Sequence, residues 1–184
     1  MSKWKKQTLR LKDDHGWRAK PGYRIFVANR GAVRFDIPQD WILDPQPSSF
    51  QFHDRPPPDD DCRLEMSYLR LPPGIDWSQL PLSALLHHLV KEDPRNPVHV
   101  GEVHNVQRPN LELAWLEMMF MDPAEKREAR SRLCLARGAN LQPCITMDFW
   151  PEDADRVGPV WEEVLRSLQL GMFIKDPTRG QTLH

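Results

Sequence analysis

The chain has 184 residues, 40% of them hydrophobic and 28% charged, and its 25 Lys and Arg against 26 Asp and Glu leave a net charge of −1. One domain of that length buries about 70% of its unfolded surface and needs no staple, and so balanced a charge excludes both a uniformly basic nucleic-acid coat and an acidic disordered tail. No run of apolar residues reaches the length of a helical membrane span, and residues 1–12 hold no apolar stretch of the kind a signal peptide requires.

The even charge hides an uneven distribution. Residues 1–24 carry eight Lys or Arg against Asp13 and Asp14, a balance of +6, and the remainder is at −7. The chain therefore reads as a basic N-terminal arm (1–22), one domain (23–170) and a loose C-terminal tail (171–184). Within the arm, Trp4, Lys5, Lys6 and Trp17 are candidate contacts for an acidic partner. The acidic body opposes nucleic acid. Cys62, Cys134 and Cys144 are odd in number and lack a Cys-x-x-Cys, so they are expected to be free thiols in a reducing, cytoplasmic compartment.

From Tyr23 onward the alternation is that of strands. Tyr23, Ile25 and Val27 precede the turn Asn29-Arg30-Gly31, and Val33, Phe35 and Ile37 follow it with Arg34 and Asp36 on the opposite face. Phe50 and Phe52 mark a third strand. The loop Pro56-Pro57-Pro58-Asp59-Asp60-Asp61 is held extended by its prolines and wet by its acids. Leu64, Met66 and Tyr68 make the next strand, which Pro72-Pro73-Gly74 ends. Leu82, Leu85, Leu86, Leu89 and Val90 keep the spacing of an amphipathic helix.

After the helix, residues 98–107 alternate weakly and Leu111–Met121 strongly, with apolar side chains on both faces of the second stretch. Leu133 and Leu135 belong to one further strand, and Ile145, Met147 and Phe149 to its return. A last helix carries Ala154, Val157, Trp161, Val164, Leu165 and Leu168, with a kink or break expected at Gly158-Pro159. The sum is an α+β fold: an antiparallel sheet of about six to seven strands, with two main helices packed on one face. Leu64, Met66, Tyr68, Leu133, Leu135, Leu85, Leu89, Trp161 and Leu165 are expected to share its core.

Two stretches carry a family resemblance. Phe35-Asp36-Ile37-Pro38-Gln39-Asp40-Trp41 matches the opening F-x-I-P-x-x-W, and Val164-Leu165-Arg166-Ser167-Leu168 resembles the i-L-x-S-L that closes the final helix. With the element order over residues 23–170, these resemble the Mog/PsbP-like α/β sandwich. That group includes PsbP proteins of photosystem II, Ran-binding Mog proteins, DcrB-type bacterial proteins and adaptor chaperones of type VI secretion effectors. The resemblance implies binding of other proteins without catalysis, and no ligand-binding residue carries over from it.

The chemistry agrees. His87 and His88 are adjacent, and His99 and His104 sit five apart, on opposite faces of a regular strand, so neither pair has metal-ligand spacing. There is no Gly-x-Ser-x-Gly, no phosphate-cradling glycine cluster and no catalytic carboxylate pair. No cofactor, metal or catalytic residue is assigned. The expectation is a non-catalytic cytoplasmic protein that binds a protein partner through the open face of its sheet or its edge. An alternative is an adaptor for a secreted effector, probing cargo with Met118, Met119 and Met121 in a groove that a homodimer could complete. An enzyme with an unrecognised site is the third reading.

Overall fold

A computed structural model describes residues 17–176 and 181–183. In chain order the elements are β1 (Tyr23–Ala28), β2 (Val33–Pro38), β3 (Ile42–Pro45), β4 (Phe50–His53), β5 (Cys62–Arg70), α1 (Leu82–Lys91), β6 (His99–Val100), β7 (His104–Arg108), β8 (Leu111–Met121), β9 (Glu128–Arg137), β10 (Leu141–Phe149), α2 (Ala154–Ser167), β11 (Gln169–Leu170), β12 (Phe173–Asp176) and β13 (Gln181–Leu183). All pairing is antiparallel. The large sheet runs β3-β4-β5-β10-β9-β8-β6, with β7 also on β8, and a small sheet runs β1-β2-β11. The expected α+β class holds, with eight strands in the main sheet rather than six or seven.

The two helices do not share a face. Leu82, Leu86 and Val90 of α1 pack on Ala114, Leu116, Met118, Leu133 and Leu135. On the other face, Val157, Trp161 and Val164 of α2 join Leu64, Met66, Ile145, Met147 and the small sheet. Strand β8 shows the cause: it is apolar on alternate positions of both faces, Leu113 to one core and Ala114, Leu116 and Met118 to the other. A sheet apolar on both faces needs a cover on each. Eight of the nine residues expected to share one core are accordingly divided between two, with Tyr68 and Leu85 at the margins. Leu89 belongs to neither, being 41% exposed. Leu86→Ala should therefore cost about 2–5 kcal/mol and Leu89→Ala no more than about 0.5 kcal/mol, a contrast that urea denaturation of the two variants would measure.

The core on the α2 side of the sheet, core one, is built around aromatic rings. Phe26, Phe35, Phe50 and Phe52 meet with centroids 4.9 to 5.6 Å apart. The hairpin joining β1 to β2 turns through Asn29, Arg30 and Gly31, all at positive φ. Gly31 is obligatory, because a Cβ there would run into the Met172 carbonyl. The contact also shows that the segment after α2 returns to the hairpin. The tail expected to be loose instead carries the pair β12–β13.

Helix α2 is continuous through Pro159. The proline costs about 3 kcal/mol inside a helix. Val157, Val160, Trp161 and Val164 lie on either side of it and are all buried, each contributing about 1.5–3 kcal/mol. Packing outweighs the break. At the far end, the last carbonyls are taken by arginines from two strands. Arg108 donates to the Leu165 and Arg166 carbonyls at 3.0 and 2.8 Å, and Arg34 to the Ser167 carbonyl at 2.9 Å.

The approach to α1 is anchored in the same way. Asp76 Oδ1 accepts from the Ser78 amide at 2.9 Å to start a 3-10 turn at Trp77–Gln79. Arg137 donates to the Trp77 and Leu80 carbonyls at 2.9 and 3.1 Å.

Candidate functional site

Two places on the molecule concentrate chemistry. The first is the sheet margin formed by β6, β7 and β8. His99 pairs opposite Met119, and Gly101 donates to the Glu117 carbonyl, while His104 pairs opposite Trp115. Three residues on the edge strand thus span two on β8, so one extra residue is inserted near Glu102, a β-bulge. The bulge reverses the alternation. His99 and His104, expected on opposite faces, lie on the same one, aligned with Met119 and Trp115.

That face is aromatic and sulfur-rich at its rim. His104 stacks on Trp115 at 4.4 Å, and Trp115 meets Trp161 edge-on at 5.8 Å. Beyond Trp115 the cover of α2 gives out. Glu117 is held by Arg132 at 2.8 Å and Arg130 at 3.3 Å, Met119 is half-buried, and Met121 is 52% exposed. Val98, Val100 and Val106 on the edge are exposed as well. Among the described residues β6 and β7 pair only with β8, so their outer backbone edge is open. Met118 is a correction. It points to the opposite face, 1% exposed beneath α1, and cannot touch a partner.

The second place is a cleft of about 180 Å³ at the C-terminal end of α2, lined by Trp17, Arg18, Arg34, Asp36, Arg166, Ser167 and Gln169. Arg34 and Asp36 lie on the face of β2 opposite Val33, Phe35 and Ile37, as their alternation implies, yet that face is covered too. They are 5% and 1% exposed, because the end of α2 and the segment 17–20 lie over that face of β2. Their ion pair measures 2.8 Å. Burial dominates it: the Asp36 carboxyl is raised above the usual carboxylate range and the Arg34 guanidinium lowered, each chiefly by loss of water and only partly offset by the other's charge.

Ser167 is the joint of this cleft. Its hydroxyl accepts from the Asp36 amide at 2.7 Å and donates to the Glu163 carbonyl at 2.7 Å. Arg166 donates to Glu163 through Nε at 2.9 Å and again through Nη2, and the hydrogen bonds hold the Glu163 carboxyl below its usual range. The Ser in the closing motif thus binds helix to strand, and the Leu168 after it is buried. Trp41, the last residue of the opening motif, is buried too, and its carbonyl accepts from Arg24 at 2.6 Å.

The remaining candidates fall as follows. Trp4, Lys5 and Lys6 lie outside the described residues. Trp17 is half-buried with its ring 5.7 Å from the Arg34 guanidinium, so the last part of the expected arm is packed against its own domain. The Pro-Asp loop is only partly wet: Asp59 is exposed, but Asp60 contacts His53 Nδ1 at 2.8 Å, Asp61 pairs with Arg55, and Asp54 Oδ1 accepts from the amides of Asp61 and Cys62. Cys62 and Cys134 are buried thiols raised by desolvation, and Cys144 is raised to about 11 for the same reason. None is set up as a nucleophile. Among the described residues no group of three or more His, Cys, Asp or Glu could hold a metal ion, and no helix is long and apolar enough to cross a membrane.

Comparison with known proteins bears on fold and family. The family model described as Alr1449 matches residues 24–174. The uncharacterized protein alr1449 of Nostoc sp. is 50% identical over 178 residues, spanning 96% of this chain and 92% of that protein. Cyanobacterial PsbP (CyanoP) from Synechocystis sp. superposes with a TM-score of 0.61 at 12% identity, over 84% of this chain and 96% of that one. LpqN of Mycobacterium tuberculosis, described as involved in cell envelope biogenesis, gives a TM-score of 0.55 at 12% identity, over 80% of this chain and 90% of its own. At such identities the likeness shows the fold alone, which is that of the Mog/PsbP-like group.

Proposed function

We infer that this chain, which belongs to the Alr1449 family, acts as a non-catalytic accessory protein that binds a protein partner along the β6–β7–β8 margin. The observation that carries the reading is the rim of exposed Met121 and half-buried Met119 beside the His104–Trp115 stack, next to edge strands that, among the described residues, pair only with β8. Trp and Met are enriched and Asp and Glu depleted at the centres of protein interfaces. Here the one acid on that stretch of β8, Glu117, is already neutralised by two arginines. An extended segment of the partner would continue the sheet and lay alternate side chains over Met119 and Met121. The likeness to CyanoP adds support at the level of fold. We place the protein in the cytoplasm on its three free thiols, two of them buried.

Affinity capture from the native host, with quantitative comparison of variants, tests the reading. Met121→Glu and His104→Ala change exposed side chains and should leave the thermal midpoint within about 2 °C, while each removes the partner recovered with the unaltered chain. Recovery of the same partner by both variants would place the interface elsewhere.

A further inference from the structure

We propose that the α1 side of the large sheet, over β10 and β5, seats an amphipathic helix of a protein partner, with a Lys or Arg of that helix on Glu65. The site lies on the opposite side of the sheet from Met119 and Met121 and does not depend on the reading given for that margin. Helix α1 packs on β8 and β9 and covers only that half of the face. In the other half, pairing sets Thr146 beside Glu65, Glu65 beside Gln51, and Cys144 beside Ser67. All five are half-buried, whereas the residues that alternate with them, Leu64, Met66, Ile145 and Met147, are sealed on the α2 side.

Spacing argues for a helix. Packed helices lie about 8–10 Å apart and paired strands about 4.8 Å apart, so a neighbour of α1 would sit two strands along, over β10 and β5. Its flank is ready. Leu85 and Leu89 are one turn apart on α1, Leu85 and Cys144 of β10 pack against the same core, and Leu89 is 41% exposed. Leu69, 66% exposed, stands on the same face toward the end of β5.

Charge selects which helix. Glu65 accepts from the Ser49 hydroxyl at 2.5 Å and from Gln51 Nε2 at 3.1 Å, both neutral donors. A carboxylate has about four acceptor sites, so about two remain for a cation. The arginines of this face are engaged elsewhere: Arg63 and Arg95 each hold Asp148 at 3.0 Å, and Arg95 also holds Asp93. Asp44 on β3, beyond Gln51, is exposed and accepts from the neutral Gln46. Among the described residues Glu65 is thus a fixed, half-buried negative charge without a cation, and its field adds to burial in holding the Cys144 thiol up. A helix apolar along Leu85, Leu89 and Leu69, with one basic residue at the level of Glu65, complements both.

The test is a titration of the full-length ¹⁵N-labelled chain with an acetylated, amidated amphipathic helix of Leu, Ala and Lys, followed by amide chemical shifts. Parallel titrations use the same peptide with Glu in place of Lys, and the Lys peptide interrupted by a central Pro. The proposal expects saturable shifts at Glu65, Ser67, Cys144 and Thr146 with the Lys helix, and none there with the Glu helix or the interrupted one. Glu65→Gln keeps neutral hydrogen bonding to Ser49 and Gln51 and should weaken the Lys helix about tenfold or more, the loss expected of a charge-assisted hydrogen bond. Leu89→Ala trims an exposed side chain and should weaken it about threefold or more. Amide shifts of each variant away from the face, unchanged from the original chain, verify its fold. Shifts confined to the β6–β7–β8 margin, equal binding of the Glu or interrupted peptide, or unchanged affinity in Glu65→Gln would each overturn the proposal. So would concentration-dependent shifts at these four residues without peptide, which would make a second copy of the chain the occupant.

Discussion

Trp161→Ala is expected to lower stability by about 3–5 kcal/mol and the thermal midpoint by roughly 10 °C or more in a chain of this size. Trp161 is 1% exposed at the centre of α2, with its ring edge-on to Trp115 of β8. Its loss removes the largest of the fully buried side chains, and the cavity cannot close easily. The helix is pinned at its far end by Arg108 and Arg34, and its middle is stiffened by Pro159. The same truncation withdraws the support behind Trp115, so partner binding should weaken along with stability. Calorimetry on the purified variant checks the first effect. A midpoint within about 2 °C of the unaltered protein would mean that core one is not organised around α2.

Arg34→Met should cost about 3–5 kcal/mol at neutral pH, the usual consequence of leaving one partner of a buried ion pair unmatched. Asp36 would remain 1% exposed and charged with its ion-pair partner gone and only the more distant Arg166 to offset it. The double variant Arg34→Met, Asp36→Leu removes both charges and should recover most of that loss. The dependence on pH follows from Asp36. Its carboxyl is raised by burial in the folded chain, so between the ordinary aspartate value of about 4 and the raised one the folded state holds more protons than the unfolded state. Stability from this group is full below that window and is lost as pH rises through it. Removing Arg34 raises the carboxyl further and widens the window, so the penalty of Arg34→Met should be greatest near neutrality and shrink as the pH falls toward about 4. Urea denaturation across that range measures it, and a penalty independent of pH would show that Asp36 is not the group responsible.

Most of the architecture was legible because the longer strands repeat their apolar residues at period two. The β1–β2 hairpin, β5, β8 and β10 all follow from alternation, and α1 from the spacing of Leu82, Leu86 and Val90. What was not legible came from tertiary context. Strand β3 has only Ile42 and Leu43 ahead of Asp44 and Pro45, too short a run to show a period, yet it pairs with β4 in register. Periodicity shows that a face is apolar but not which helix covers it, and the two-faced pattern of β8 was the signal that both faces needed one.

The sites were hidden by similar causes. A one-residue bulge in the edge strand moved His99 and His104 to a common face, and Gly101, which stands at the register shift, was the only sequence signal of it. Met118 differs from Met119 and Met121 only in the parity of its position on β8, which decides between the buried and open faces. Strict alternation from Ala114 and Leu116 would have assigned it correctly. Arg34 and Asp36 have the pattern of a solvated face, and only the return of α2 and segment 17–20 over β2 buries them. The Ser167 motif was read only as the close of the final helix, and its bridge to Asp36 of β2 appears once helix and strand are packed together.

The central claim is that a partner docks at the β6–β7–β8 margin. It is tested most directly by placing a photo-crosslinking amino acid at Met121, and separately at Ile42 on the opposite edge of the large sheet, in the native host. Both positions are exposed, at 52% and 37%. The account predicts a discrete cross-linked species from Met121 that is absent from Ile42 and disappears when His104→Ala is added. The same species from both positions, or one from Met121 that survives His104→Ala, would contradict it.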